Sequence, residues 1–353
     1  MLELIIWAAV KCVVIMLFFL LPAAAVLTWV ERKMSAVIQQ RIGPNRANLG
    51  PITLWGLLHP VADGIKMFFK EDFVPAGANK FLFTVAPLLG FIPALLVFVA
   101  IPFGPPVNGA EWFLVSDSQM GLLFLLAVAS IGIYGHTLAG WASNNKWSFL
   151  GGLRTAGQLF SYEVALSLSL LGVLMVYGTI IPQKLIMAQS QMWYGVIPHW
   201  GIFTQPLGFI LFMLASIAET KRAPFDLPEA DSELVAGYNT EYSSMKFALF
   251  FLSEFIGIIL VGAFGAVLFL GGWHIPFLDR ILAWAGIEAG WWFYPLCIVA
   301  YLVKVSALVY LQMLIRWTVP RLRYDQVMNM GWKLLLPFGL ANVVATSVVL
   351  VFV

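Results

Sequence analysis

Charge is scarce in this sequence. Only 11% of its 353 residues are Asp, Glu, Lys or Arg, and 61% are hydrophobic; a soluble domain carries about 25% charged and about 45–50% apolar residues. So few charges cannot clothe a water-facing surface. The chain must meet lipid, other hydrophobic subunits, or both. Cysteine is scarcer still. Cys12 and Cys297 both lie inside long apolar runs, and there is no Cys-x-x-Cys and no Cys/His cluster. That argues against iron–sulfur ligation, structural zinc or a disulfide framework in this chain. The four histidines, His59, His136, His199 and His274, are scattered and read as packing or interfacial residues rather than metal ligands. A net charge of only +2 gives no sign of a nucleic-acid partner, and none is expected.

What is abundant is long apolar runs. The first, from Leu4 to Val30, is too long for a cleaved signal peptide and long enough to span a bilayer. Further candidates lie at 81–103, 119–141, 158–180, 203–218, 245–271, 293–315 and 333–353. The reading is all-α: a single polytopic integral membrane domain, 1–353, of about eight transmembrane helices.

Lys and Arg fall almost wholly in one alternating set of loops. Of the 20, only Lys184 and Arg280 lie in the other set, and Lys11 and Lys304 lie within spans. By the positive-inside rule the rich side is cytoplasmic, and with eight spans both termini lie opposite. Most acidic residues share the rich side: Glu31, Asp63, Glu71, Asp72, Glu219, Asp226, Glu229, Asp231, Glu233, Glu241 and Asp325. One membrane face is therefore a plain lipid–water boundary. The other is a dense mixture of both signs, as expected where a hydrophilic partner docks or a polar cavity opens.

Within the first long loop, residues 52–70 read as an amphipathic helix in the interface plane. His59, Asp63, Lys66 and Lys70 fall on one face, with Leu54, Leu58, Val61, Ile65, Phe68 and Phe69 filling the other. The second notable loop, 219–244, gathers Asp226, Glu229, Asp231 and Glu233 within eight residues. Pro228 suits the first turn of a short helix, which would put Glu229 and Glu233 on one face. Three charges fall within spans: Glu163 opening the fourth, Glu254 a third of the way along the sixth, and Lys304 near the middle of the seventh. Such groups are costly in lipid and usually serve a pathway. An ion pair of Lys304 with Glu163 or Glu254 is the structural alternative. Glu219, closing the fifth span, is placed to link the loop acids to the deeper ones.

The strings WVERK, QQRIGPNR, PVADGIKMFFKED, ASNNKWSFLGGLRTAGQLFSYEVALSL, AETKRAPFDLPEADSELVAGYNTEYSS and RLRYDQVMNMGWK resemble the H subunit of NADH-quinone oxidoreductase, the quinone-site membrane subunit of respiratory complex I. The resemblance runs from about Glu31 to Lys333. It implies eight transmembrane helices and a quinone tunnel entered near the first helix, the amphipathic helix and the sixth helix. It also implies a face for hydrophilic-arm subunits and lateral contact with antiporter-like subunits. Quinone would be the substrate, with flavin and iron–sulfur clusters in partner subunits and no cofactor held here. Carried over by motif, Arg32, Arg41, Arg46 and Asp63 line the quinone path; Glu229, Asp231 and Glu233 line the polar funnel; Glu163, Glu219 and Glu254 continue it. Ala230-Asp231 replaces the family's glycine–glutamate pair, keeping the carboxylate on a shorter arm. The implied role is coupling of quinone reduction to proton translocation in a bacterial inner membrane, an organellar membrane being the less favoured setting. The alternatives are the related membrane subunit of a membrane-bound hydrogenase and a stand-alone cation transporter. The latter would show inverted repeats, and none is visible.

Overall fold

The structure is a computed structural model. It describes residues 2–48, 50, 54–107, 112–115, 118–193, 197–278 and 290–352, with the side chains of residues 2–5, 231 and 232 outside the description. Arg280 therefore lies outside the described residues.

The described residues form an α-helical bundle, the architecture that pairs backbone groups within each segment, as lipid requires. The first span comprises α1 (Leu2–Val14), a π-helical stretch (Ile15–Leu20) and α2 (Leu21–Ile38). It runs past the expected end at Val30, because nothing stops the helix before the left-handed Gln40 and Gly43, at φ 53° and 74°. Glu31 and Arg32 are thus helical residues, not loop residues. The interfacial helix α3 is shorter than expected, His59–Phe69, with Pro60 in its first turn. Left-handed Trp55 and Gly56 (φ 54° and 84°) break any earlier start. Its apolar side is bare: Val61, Ile65, Phe68 and Phe69 are all exposed, as suits a helix lying in the interface.

Next come α4 (Lys80–Leu96), extended by a 3₁₀ turn to Ala100, and α5 (Gly121–Ala142). They cross so closely that a Cβ on Gly135 would lie 2.4 Å from the Gly90 nitrogen. Small residues permit this approach, and in lipid close packing rather than water exclusion holds helices together. The fourth span, α6 (Lys146–Tyr177), starts well before the expected 158, capped by the Asn145 side chain accepting from the Trp147 N–H at 3.0 Å. Glu163 is therefore central in α6 rather than at its start.

On the sparsely charged side lie α7 (Pro182–Gln189), the two-residue strands β1 (Met192–Trp193) and β2 (Ile197–Pro198), paired antiparallel, and α8 (Gly201–Thr204). The fifth apolar segment is α9 (Pro206–Glu219), 14 residues. At 1.5 Å per residue it is shorter than the roughly 30 Å hydrocarbon core. The acidic loop holds α10 (Asp231–Leu234), followed by α11 (Ser244–Phe269), α12 (Phe293–Thr318), α13 (Tyr324–Asn329), a π-helical stretch (Met330–Leu335) and α14 (Leu336–Phe352). Among the described residues, seven helices are long and apolar enough to cross a membrane, with α9 as a shorter eighth. The protein is a multi-pass membrane protein. α11 is its central helix, 67% of its most apolar window being buried, against 11% for the first span, which faces outward.

Candidate functional site

Two cavities flank α11 on the charged side of the bundle. The outer one, about 410 Å³, lies between α2, α3 and α11. Its wall is mainly apolar, from Leu21, Ala25, Met67, Phe68, Phe247, Phe251 and Leu252. Charge interrupts it at Asp63, whose Oδ2 meets Arg32 Nη2 at 2.6 Å and whose Oδ1 lies 3.7 Å from Lys66 Nζ. Polar ties hold α3 and the segment after it against α11: Ser244 donates to the Met67 carbonyl at 2.9 Å, and Lys246 meets Asp72 at 3.1 Å. A mostly apolar wall with a few charged groups suits an amphiphilic small molecule, and the volume falls in the range of small-molecule sites.

Glu31, one residue before Arg32, points the other way. Its carboxylate pairs with Arg222 and, at 2.5 Å, with Arg316. Arg222 is buried, stacks 4.2 Å over the Phe255 ring, and has its other terminal nitrogen 4.0 Å from Glu254 Oε2. Two ion pairs on adjacent residues thus join the outer cavity to a buried cluster.

That cluster is Glu229, Tyr238 and Glu254. The Tyr238 hydroxyl lies 3.2 Å from Glu229 Oε1 and 3.1 Å from Glu254 Oε1, and Asn239 Nδ2 donates to Glu229 at 2.5 Å. One phenol hydrogen cannot serve two carboxylates fully, so the arrangement favours an extra proton held between them. Burial pushes the Glu229 carboxyl well above its ordinary value, and the charges of Glu254 and Asp226 push the same way. Burial also raises the Tyr238 phenol, keeping it a hydrogen donor. The loop is folded tightly enough to demand glycine: Gly237 has φ 53°, and a Cβ there would sit 1.6 Å from the Pro228 carbonyl oxygen.

The inner cavity, about 110 Å³, is lined by Glu254, Lys221, His136 and Glu219, with Gly90, Gly132, Ser253 and Gly257 among the remaining wall residues. It is large enough for several waters, with polar groups to hold them. Lys221 is buried; burial lowers its ammonium below the ordinary value while Glu254 and Glu229 resist that shift. On α6, Glu163 accepts a short hydrogen bond from Ser130, and its charge acts on Glu219.

The chain matches the NADH dehydrogenase family over residues 10–347. It is 45% identical to the H subunit of NADH-quinone oxidoreductase from Paramagnetospirillum magneticum, over 94% of this chain and 89% of the relative. To an H subunit from Geobacter sulfurreducens, the form numbered 2, it is 45% identical over 97% and 96%. The H subunit from Flavobacterium psychrophilum is 40% identical, over 96% of each. The chain belongs to the family of NADH-quinone oxidoreductase H subunits.

The expected site residues of this family member separate into groups. Arg32 and Asp63 meet at the outer cavity. Glu229, Glu254 and Glu219 gather around the inner one, with Glu163 beyond. Arg41 and Arg46 are exposed, the former donating to Gln39 at 2.7 Å and to Ser35 at 3.1 Å. Glu233 departs from expectation. Glu229 precedes α10 instead of sharing a helical face with it, because the chain turns sharply at Ala230, whose φ of 4° is not helical. Glu233 therefore turns outward and pairs with Arg154 at 2.5 Å. The Asp231 side chain lies outside the described residues. Lys304 does not form the alternative ion pair with Glu163 or Glu254. It donates to the Leu270, Gly272 and His274 carbonyls at 2.7, 2.9 and 2.6 Å, at the far end of α11. The sequence reading missed Glu31, Arg222, Tyr238 and His136 as site members. Glu31 and Arg222 stand inside the quoted motifs, but no spacing rule pairs residues 191 positions apart.

Proposed function

We propose that this chain is the membrane subunit of a proton-translocating NADH-quinone oxidoreductase that admits quinone and couples its reduction to proton movement. One observation carries the reading: adjacent residues of α2 face two sites. Arg32 lines the outer cavity with Asp63, while Glu31 joins through Arg222 to Glu254 and the inner cavity. A quinone headgroup entering past Arg32 and Asp63 gains negative charge on reduction. That charge acts on a line of carboxyl groups that begins at Glu229, whose carboxyl burial and the charges of Glu254 and Asp226 already push up. The line continues through Glu254 and Glu219 to Glu163. Arg41, Arg46, Asp231 and Glu233 complete the polar surroundings of the headgroup route nearer the partner subunits.

Electrons come from partner subunits holding flavin and iron–sulfur clusters, since this chain offers no cysteine set for them. Exposed Val37, Ile42, Trp55 and Phe73 beside the charged loops suit docking of the hydrophilic-arm subunits. The antiporter-like subunits lie laterally in the same bacterial inner membrane. Lys304 stands apart from the line, its ammonium held by backbone carbonyls.

The test is Glu219→Gln in the intact complex in membrane vesicles, following quinone reduction and proton uptake separately. The expected result is proton uptake per quinone reduced falling severalfold. Unchanged uptake would remove the carboxylate line from the coupling mechanism.

A further inference from the structure

His136 is buried on α5, its ring edge-on to Tyr238 at 5.0 Å and tilted against Phe250 at 5.3 Å. Its Nδ1 lies 2.9 Å from the Gly132 carbonyl oxygen. A carbonyl oxygen only accepts, so Nδ1 carries the ring hydrogen and Nε2 presents a lone pair. That lone pair meets the Lys221 ammonium. Lys221 in turn lies 5.4 Å over the Tyr238 ring and on the wall of the inner cavity. Lys221 stands among carboxylates, yet its ammonium points at the lone pair of a neutral imidazole, and the proton on that contact has two nitrogens to choose from.

We propose that His136 and Lys221 share one proton, and that this pair carries positive charge between the Glu229–Tyr238–Glu254 cluster and the cavity wall at Glu219. The proposal rests on the coupling reading above and adds two nitrogen bases to its carboxylates. In the transfer, one N–H bond on Lys221 Nζ breaks and one forms on His136 Nε2. The lysine becomes a neutral amine, the histidine an imidazolium, and the pair keeps a charge of +1. The amine lone pair then takes a proton from the carboxyl cluster. The imidazolium releases its Nε2 proton into the cavity toward Glu219, returning to the starting tautomer because Nδ1–H never leaves Gly132.

The charged and titratable groups around the pair come from each neighbouring element. α11 presents Glu254, α9 presents Glu219, α6 carries Glu163 beside Glu219, and the acidic loop presents Tyr238, Glu229, Asp226 and Arg222. α4 and the 3₁₀ turn that extends it contribute the uncharged Gly90, Ala94 and Val97. Positive charge on either nitrogen therefore faces carboxylates on both sides. Burial lowers the lysine ammonium below its ordinary value, which eases release of its proton to a nitrogen in direct contact.

Two variants keep the contact and remove the exchange. In His136→Gln the amide oxygen still accepts a hydrogen bond but takes no proton. In Lys221→Arg the charge stays but is not released at neutral pH. Both are placed in the intact complex in vesicles, with NADH oxidation by a water-soluble artificial acceptor reporting assembly. The expected result is that artificial-acceptor activity is kept, NADH-driven proton uptake falls about tenfold or more, and its pH profile flattens. The double variant should be no worse than either single one. Either variant alone decides the matter if the other does not assemble. Wild-type uptake with an unchanged pH profile in His136→Gln or Lys221→Arg, while Glu219→Gln is impaired, overturns the proton-sharing pair. Wild-type uptake in Glu219→Gln as well overturns the coupling reading beneath it.

Discussion

Arg222, in the loop after α9, closes a buried ion pair with Glu31 of α2 across 191 positions of sequence. The pair does two things at once. It pins the acidic loop to the first span, and it sets a guanidinium between the Glu31 and Glu254 carboxylates. Because Arg32 follows Glu31 in the same helix, any shift of α2 at the outer cavity is felt at Arg222.

Replacing Glu31 should therefore be costly. Glu31→Gln leaves two guanidinium groups, Arg222 and Arg316, facing one neutral amide. Removing one partner of a buried pair costs about 3–5 kcal/mol. The expected outcome is a lower thermal midpoint of the purified complex and slower quinone reduction. Glu31→Asp, which keeps the charge, should recover part of both.

Glu229 makes stability depend on pH in a definite direction. Its carboxyl is raised in the folded chain, so the folded state binds more protons than the unfolded one above the ordinary carboxyl value of 4.5. Stability is then full below that value and falls as pH rises through the folded value. Glu229→Gln removes the titration but keeps a neutral partner for Tyr238 and Asn239. Thermal midpoints measured between about pH 5 and pH 8 should decline with pH in the wild type and decline less in the variant. Parallel curves would mean that Glu229 is ionised throughout.

Much of the scaffold is legible in the sequence because the bilayer imposes it. Long apolar runs give the helices, and the Lys/Arg asymmetry separates the two ends of the bundle. Helix limits are less legible: α2 continues through the charged Glu31-Arg32-Lys33, and α6 begins twelve residues before the expected 158, since charge by itself does not break a helix. Of the residues that the motifs single out, Arg32 and Asp63 meet in an ion pair. The divergence of Glu229 from Glu233 is not legible in them, because it depends on a non-helical turn at Ala230 and a glycine at 237 packed onto the Pro228 carbonyl. His136 gives no local signal either; its meaning comes from Lys221, 85 positions away.

Lys304 illustrates how a charge in a span can serve structure. The chain reverses after α11 through Gly271 and Gly272, at φ 69° and 52°, and three carbonyl oxygens there converge on the ammonium, with the Trp200 ring 4.6 Å away. A cation at a helix C-terminus is favourable by the helix dipole, and this one satisfies the carbonyl of Leu270, which caps α11, and those of Gly272 and His274 in the turn beyond. Lys304→Met removes the cation and strands those acceptors, at about 1–3 kcal/mol for a buried unsatisfied group. Amide hydrogen exchange in 266–274 should quicken and the thermal midpoint should fall. Because Lys304 meets no carboxylate of the inner cavity, proton uptake per quinone reduced should stay at the wild-type ratio. Loss of that ratio with unchanged exchange would move Lys304 from the helix end into the proton path.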